Sequence, residues 1–158
     1  MINLCLQKIE EAYKAAETIY GRTFQRPKVV FDLRGRSGGQ AWGRKNLIRL
    51  NPELLRQNGM EFVNRTPTHE ASHLIAWEIY GFNISGHGKE WQKVMVDLGQ
   101  VPSRTHNYEN KIGHEYVCAC RTAYFTTKRH NLCLKGQEYS CGFCKKTFNY
   151  KKWLTVGV

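Results

Sequence analysis

The segment His-Glu-Ala-Ser-His at residues 69–73 constrains the fold of this chain more than any other feature. In a helix, residues four positions apart lie on one face, one turn from each other. Two histidines at that spacing can direct their imidazoles at one metal ion, while Glu70 beside them faces a water bound to that metal. The pattern predicts a helix that carries His69 and His73 as zinc ligands and Glu70 as the general base of a hydrolytic reaction.

A hydrolytic zinc site of this kind needs a third protein ligand from outside the helix. One arrangement places a histidine six residues after the second one, but that position is Ile79 here. The other arrangement takes the ligand from the next helical segment, where His87 and Glu90 follow the helix-ending Gly81. We favour His87, because the glycines on both sides of it let the backbone approach a metal closely. Glu90 is the alternative.

Two close pairs of cysteines predict a second metal site. Cys118 and Cys120 are separated by 20 residues from Cys141 and Cys144. This spacing is typical of a zinc ribbon, in which two turns each offer two thiolates to one structural zinc ion. Cys120 is the least secure of the four ligands, because one residue rather than two separates it from its partner. The residues that could replace it are His130 and Cys133.

The charge of the chain indicates a polyanionic partner. Lys and Arg number 24 against 13 Asp and Glu, for a net charge of +11. The polyanionic partner of a protein with such an excess of positive charge is most often a nucleic acid. Residues 113–158 are the most basic part, with 8 basic and 2 acidic side chains, and they hold five of the six cysteines. We therefore place a domain boundary near residues 111–113, which divides the chain into domains 1–112 and 113–158.

Cations and aromatic side chains alternate in the second domain. Cations can bind phosphates, and aromatic rings can stack on unpaired bases. We predict sequence-independent, salt-sensitive binding of single-stranded nucleic acid, with a solvated basic surface as the alternative interpretation. A second stretch, residues 33–52, contains five cations and no acidic residue. The predicted DNA contacts are Lys128, Arg129, Lys145 and Lys146.

The remaining pattern predicts a mixture of helices and strands. Apolar spacing predicts a first helix over residues 2–20, and a helix over residues 67–80, capped by Thr66, carries the two histidines. A further helix ends at Gly99. Strands are expected at residues 28–33, after the glycine-rich turn that follows, and at residues 46–50. This last strand, if it lay at the edge of the sheet beside the cleft, would align an extended peptide by backbone pairing.

Two further local patterns complete the prediction. Asn51 followed by proline is typical of a helix start, and short strands with tight turns are expected after residue 113. No apolar run approaches the roughly 20 residues of a membrane helix. Lys8, Glu10 and Glu11 interrupt the stretch where a signal peptide would be apolar. We therefore expect a cytoplasmic protein associated with DNA, without a membrane partner.

The ordered set of motifs resembles the SprT family of zinc metalloproteases over roughly residues 5–150. The matching segments are LRGRSGGQAWG with IRLNPELL, HEASH with LIAWEIYG, GHGKEWQKVMVDLG, VPSRTHNY, YVCAC, KRHN and YSCGFC. Relatives in this family include the eukaryotic Spartan proteases, which cleave proteins crosslinked to DNA. One departure from the family pattern is Pro67, which stands where an apolar residue compatible with a helix is commoner.

The resemblance implies a fold, a set of ligands and an activity. The fold would be a compact α+β zincin-type protease domain, with helices packed on a small antiparallel sheet and a zinc ribbon behind it. His69, His73 and His87 would hold a catalytic zinc with Glu70 as the base, and the ribbon would hold a structural zinc. The substrates would be proteins bound or crosslinked to DNA. Two further residues match the family pattern, His106 and Tyr108. We assign neither a role, although polar groups of this kind can stabilise an oxyanion.

Two other functions stay open at the level of sequence. The first is a nucleic-acid-binding protein without enzymatic activity, in which the histidines hold a structural zinc. Glu70 argues against it, because a structural site gains nothing from a carboxylate beside an open coordination position. The second is a metal-dependent hydrolase of another bond, such as an amide in a small molecule.

Overall fold

The computed structural model describes residues 1–104, 108 and 113–154, without the side chains of residues 152–154. The chain is α+β and divides into two compact units, Met1–Glu109 and Asn110–Val158. The domain boundary predicted near residues 111–113 includes residues 111 and 112, which lie outside the described part of the chain. Within that part, no helix combines the length and the apolar character needed to cross a membrane.

Helix α1 (Ile2–Tyr20) opens the first unit and ends at Gly21, as the sequence predicts. Gly21 adopts a positive φ of 62°, a conformation that costs glycine little. Its N–H donates to the carbonyl of Glu17, which closes the helix end. The buried side of the helix consists of Cys5, Ile9, Ala12, Tyr13 and Ala16.

Three short strands form the sheet of the first unit: β1 (Lys28–Val30), β2 (Gly39–Trp42) and β3 (Leu47–Leu50). Their order is β1–β3–β2, with β1 parallel and β2 antiparallel to β3. The prediction of an antiparallel sheet is therefore wrong for this unit. The connection over residues 31–38 leads from β1 to the opposite edge of the sheet, and β3 then fills the position between β1 and β2. The expectation that residues 46–50 form an edge strand is also wrong, since β2 lies at that edge.

Helix α2 (Pro52–Tyr80) carries the histidine motif and begins where the sequence predicts. The side chain of Asn51 caps it by accepting hydrogen bonds from the backbone N–H groups of Glu53 and Leu54. The predicted start at residue 67 with a Thr66 cap is wrong, because the helix runs on through this region. Its backbone departs from helical geometry at Gly59 instead, with φ 53° and ψ −127°.

Helix α3 (Lys89–Asp97) follows a short loop after α2 and packs against it. It buries Trp91, Val94 and Met95, and the chain turns at Gly99 with a φ of 71°, as expected from the sequence. Trp91 is fully buried and lies at the start of the helix. The loop that carries His87 is thus fixed between two packed helices.

The second unit contains β4 (Gly113–Val117), β5 (Thr122–Phe125), helix α4 (Thr127–Leu134) and β6 (Asn149–Leu154). The strands form an antiparallel sheet in the order β5–β4–β6. Helix α4 was not expected, because only His130 of its eight residues is buried and the sequence therefore shows no apolar stripe. Thr126 caps it by accepting from the N–H of Arg129.

Candidate metal centres

Three imidazoles converge in the first unit. His69 and His73 lie one turn apart on α2, and His87 comes from the loop before α3. The Nε2 atom of His69 lies 3.2 Å from Nε2 of His87 and 3.3 Å from Nε2 of His73. A tetrahedral zinc ion with nitrogen ligands at about 2.05 Å sets those nitrogens about 3.3 Å apart. The three side chains therefore have the spacing of a zinc donor set.

Trp91 holds the three rings in place. Its indole ring is stacked with His73 at a centroid distance of 5.2 Å, and it contacts His69 at 4.8 Å and His87 at 4.7 Å. A ring N–H of His73 donates to the backbone carbonyl of Gly86. Because that hydrogen bond occupies one ring nitrogen as a donor, the other is left as the acceptor that a metal requires.

Burial favours the neutral, metal-binding form of two of these imidazoles. Desolvation, together with a smaller contribution from like-charge repulsion by His69 and His87, lowers the pKa of His73 to about 3. Burial also lowers the pKa of His87, with a smaller effect from the positive charge of Arg104. Unprotonated imidazoles at neutral pH need lose no proton when a metal ion binds.

Glu90, the rival third ligand, lies outside the cluster. The group of possible ligands consists of the three histidines, and Glu90 does not line the cleft beside them. Within the described ranges, no fourth histidine, cysteine or carboxylate belongs to the group. The arrangement therefore offers three candidate protein ligands, the number found in catalytic rather than closed structural zinc sites.

Glu70 is buried next to the histidines, with only 6% of its surface exposed. Burial raises the pKa of this carboxyl group to about 8, although the backbone N–H of Ala41 donates to it and favours the charged form. A metal cation in the adjacent histidine cluster would favour the carboxylate as well. The β2 backbone thus contacts the side chain to which the motif assigns proton transfer.

Gly39 gives Glu70 the room that it occupies. A Cβ atom at position 39 would lie 2.5 Å from Cγ and 2.6 Å from Oε1 of Glu70, which is far inside van der Waals contact. Strand β2 therefore positions the carboxyl group in two ways. Gly39 has no side chain and leaves the space that the group occupies, and the N–H of Ala41 donates a hydrogen bond to it. Neither residue was predicted from the sequence, although the adjacent glycines at positions 38 and 39, where β2 begins, were a signal that could have indicated close packing there.

We expect Gly39→Ala to displace Glu70 and to lower hydrolytic activity by roughly 100-fold, since small misplacements of a catalytic group have effects of that order. The metal content should stay unchanged, because the three imidazoles do not contact Gly39. Gly142→Ala is the matched control, since a Cβ atom there meets nothing within 4 Å and the residue lies in the second unit and does not line the cleft. Steady-state kinetics and zinc content of both variants check the prediction, and equal activity in the two would contradict it.

The cleft beside the histidines has a volume of about 650 Å³. Strand β2 and the loop before it form one side, and side chains near the start of the histidine motif form another. Tyr108 lies in this wall, where its hydroxyl is 2.7 Å from Oγ1 of Thr66 and its ring stacks on Phe62. Its hydroxyl is thus engaged with the wall. His106 lies outside the described residues.

Four thiols converge in the second unit. The sulfur atoms of Cys118, Cys120, Cys141 and Cys144 lie within 4.8 Å of one another. Sγ of Cys120 is 3.7 Å from the sulfurs of both Cys118 and Cys141. A tetrahedral zinc ion with sulfur ligands at about 2.3 Å sets them about 3.75 Å apart. This cluster also has the spacing of a zinc donor set.

Backbone N–H groups favour thiolates in the second cysteine pair. The N–H groups of Cys144 and Phe143 lower the pKa of the Cys141 thiol. The N–H of Lys146 lowers the pKa of Cys144 in the same way. Thiolates are the form that binds zinc, so the turn from Cys141 to Lys146 is suited to a metal ion.

His130 and Cys133, the candidate replacements for Cys120, lie in a different cluster. The ring of His130 stacks on His114 at a centroid distance of 3.5 Å, and its Nδ1 is 2.9 Å from the hydroxyl of Tyr116. Cys133 interacts with the same tyrosine. Cys120 is therefore the residue that the structure places with the other three cysteines.

The four predicted DNA contacts are all exposed in the second unit. Lys145 and Lys146 directly follow the last cysteine of the cluster, and the ammonium group of Lys145 donates to the carbonyl of Gly142. Arg129 lies over the ring of Tyr139 at 4.3 Å, and Lys128 precedes it on α4. The structure thus gives one pair of cations on α4 and another in the cysteine turn.

The fold and the two clusters define an α+β protein with a histidine and a cysteine candidate metal centre. The sequence model of the SprT-like family matches residues 9–130, and the chain belongs to this family. Protein SprT of Pseudomonas putida (strain W619) is 39% identical over 157 residues, which cover 95% of this chain and 96% of that relative. Protein SprT of Pseudomonas savastanoi pv. phaseolicola (strain 1448A / Race 6) is 40% identical over 146 residues, or 88% and 89% of the two chains. No solved structure matches the chain.

Proposed function

We propose that this protein is a zinc-dependent endopeptidase that acts on proteins associated with DNA or crosslinked to it. The observation that carries the proposal is the convergence of three imidazoles beside a buried glutamate in a cleft bordered by an edge strand. Membership of the SprT-like family supports a function of the metalloprotease type. In this proposal, the protein works on DNA in the cytoplasm.

The site residues divide the work of peptide hydrolysis. His69, His73 and His87 would hold zinc, which lowers the pKa of water and polarises a carbonyl group when it is bound. A carboxylate oxygen of Glu70 accepts a proton from the attacking water and delivers it to the nitrogen of the leaving amine. The N–H of Ala41 keeps the carboxylate oriented for both transfers.

The position of β2 supports a peptide substrate rather than a small amide. This strand lies at the edge of its sheet and lines the cleft next to Glu70. The backbone groups of an edge strand can pair with an extended chain, which gives binding that is independent of the side chains of the substrate. Such a mode suits a protease that cleaves many different proteins on DNA.

Exposed cations beside the cysteine cluster support the link to DNA. In this proposal Lys128, Arg129, Lys145 and Lys146 contact phosphates without sequence preference, so that binding weakens as salt concentration rises. The cluster of Cys118, Cys120, Cys141 and Cys144 holds a structural zinc that fixes the turn bearing two of these lysines. DNA binding would bring the protease to proteins held on the same strand.

The experiment compares cleavage of a DNA-binding protein in the presence and absence of single-stranded DNA. Wild-type protein is expected to cleave at least several-fold faster with DNA, and Glu70→Gln is expected not to cleave. Equal cleavage by the two proteins would refute the peptidase proposal. Wild-type cleavage at the same rate with and without DNA would leave a peptidase and remove the DNA-linked part.

The alternative of a structural histidine site without catalysis is less consistent with the geometry. Such a site would be closed by a fourth protein ligand, whereas the described cluster has three. A buried carboxyl group held by β2 would also have no purpose there, since burial of an acid costs free energy.

A further inference from the structure

Aromatic rings and cations alternate where the edge strand β2 ends. The strand finishes at Trp42, and residues Gly43–Lys45 form a short 3-10 turn. The ammonium nitrogen of Lys45 lies 4.8 Å from the ring centroid of Trp42, and Cζ of Arg44 lies 5.2 Å from that of Phe82. We call Trp42, Arg44, Lys45 and Phe82 the cation–aromatic turn.

The cation–aromatic turn is exposed and positively charged. Trp42 is 37% and Phe82 50% exposed, and both cations are exposed as well. In the part of the chain that the structure describes, no carboxylate pairs with Arg44 or Lys45. Arg49 also stacks on Trp42, but its charge is compensated by Asp32 at 2.8 Å. The surface therefore presents two aromatic rings with two uncompensated cations.

The cation–aromatic turn is held rigidly beside the cleft. A Cβ atom at Gly43 would lie 2.6 Å from both Phe82 and Trp77, so the backbone of the turn packs directly on these rings. Trp77 in turn stacks on the metal-centre residue His73 at a centroid distance of 5.6 Å. Trp42 and Trp77 both line the cleft. A ligand on this surface would thus lie next to the peptide that β2 aligns.

We propose that the cation–aromatic turn binds single-stranded nucleic acid beside the cleft. An unpaired base would stack on an exposed ring, and phosphates would contact Arg44 and Lys45. An acidic peptide would satisfy the two cations but offers no flat ring system for Trp42 and Phe82. The inference rests on the proposed function in one respect, because the bound strand would be the one that carries the protein substrate. It places a nucleic-acid contact on the first unit, separate from the four cations of the second.

The electrostatic part is tested on the full chain with a labelled oligothymidylate of about 20 nucleotides, longer than a typical single-strand site. Fluorescence anisotropy is expected to show that Lys45→Glu weakens binding roughly tenfold. Lys14→Glu is the matched control, because it makes the same charge change on α1 at a side chain that is 71% exposed. It should weaken binding less than about twofold, through net charge alone.

The stacking part is tested with Trp42→Ala and Phe82→Ala, each compared with an abasic oligomer of the same length. Loss of a stacked base is expected to weaken oligothymidylate binding by about tenfold for at least one variant. Binding of the abasic oligomer should not change, because the phosphates keep their contacts. Trp42→Tyr, which keeps a ring, should restore most of the affinity, and thermal unfolding of each variant verifies its fold.

Three outcomes would overturn the proposal. Lys45→Glu could bind as well as Lys14→Glu, or the ring variants could bind oligothymidylate as well as wild type does. The variants could also lose binding of a polyglutamate peptide while they keep that of DNA, which would assign the surface to an acidic protein. The assays do not require cleavage, so an inactive protein with the expected binding losses would refute the peptidase proposal and keep this one.

Discussion

Glu70→Gln is expected to lower kcat/KM for peptide hydrolysis by roughly 1000-fold, within the range that general acid–base groups contribute. Glutamine has nearly the same size, and its carbonyl oxygen can still accept the N–H of Ala41, so the packing around this buried side chain is kept. An amide does not accept the proton of the attacking water at neutral pH. The loss should therefore fall on the chemical step alone.

Hydrolysis of an unstructured protein and zinc content, both measured on the same preparations, check this prediction. Zinc content should equal that of wild type, because Glu70 is not one of the converging ligands. Glu78→Gln is the matched control, since it makes the same change on α2 at a residue that does not line the cleft. Activity of Glu70→Gln within tenfold of the control would show that another group takes the proton.

Cys144→Ser is expected to unfold the second unit and to leave the first unit folded. Among the described side chains of the second unit, few are fully buried, and the main apolar ones are Tyr116, Phe125 and Cys141. A core of that size contributes little stability, whereas a structural zinc contributes on the order of 10 kcal/mol to the folding of small domains. Replacement of one thiolate therefore removes most of the free energy that holds this unit together.

Hydrogen exchange resolved along the chain measures the effect of Cys144→Ser. Protection should be lost in β4, β5 and β6 and kept in α1 and α2. Cys133→Ser provides the same chemical change within the same unit but outside the cysteine cluster. It should keep protection in all three strands. If the two variants behaved alike, the cysteine cluster would not be the structural element of this unit.

The histidine and cysteine sets could be predicted from the sequence because their spacing is local. The four-residue interval between His69 and His73 has one geometric consequence on a helix. His87 follows after a short loop, so few conformations compete for its position. The two cysteine pairs likewise each occupy one turn, and the identification of Asn51 as a helix cap depends on its immediate neighbours alone.

Pairing between distant segments could not be predicted in the same way. The order of three short strands is decided by the path of the connection over residues 31–38, which no local pattern reveals. As a result, the edge strand was expected at residues 46–50 instead of β2. The contacts of Gly39 and Ala41 with Glu70 depend on that same pairing and were missed with it.

The predicted helix limits were wrong where tertiary packing outweighed local sequence preference. Pro67 indicated a helix start, since proline suits a first turn. The residue is fully buried inside α2, and its packing compensates for the backbone hydrogen bond that proline cannot make. Glycine at position 59 permits the non-helical backbone found there but does not require it, so the break could not be predicted from the sequence. Helix α4 lacks an apolar stripe, and its position beside β4 and β5 was therefore not evident.

Zinc content per chain, measured on protein purified without chelators, tests most directly whether three imidazoles bind one metal ion. The wild-type protein is expected to contain two zinc ions and His73→Ala one, because two remaining imidazoles hold the ion far more weakly. Two zinc ions retained in His73→Ala, or a wild-type protein whose only zinc is lost with Cys144→Ser, would contradict the account.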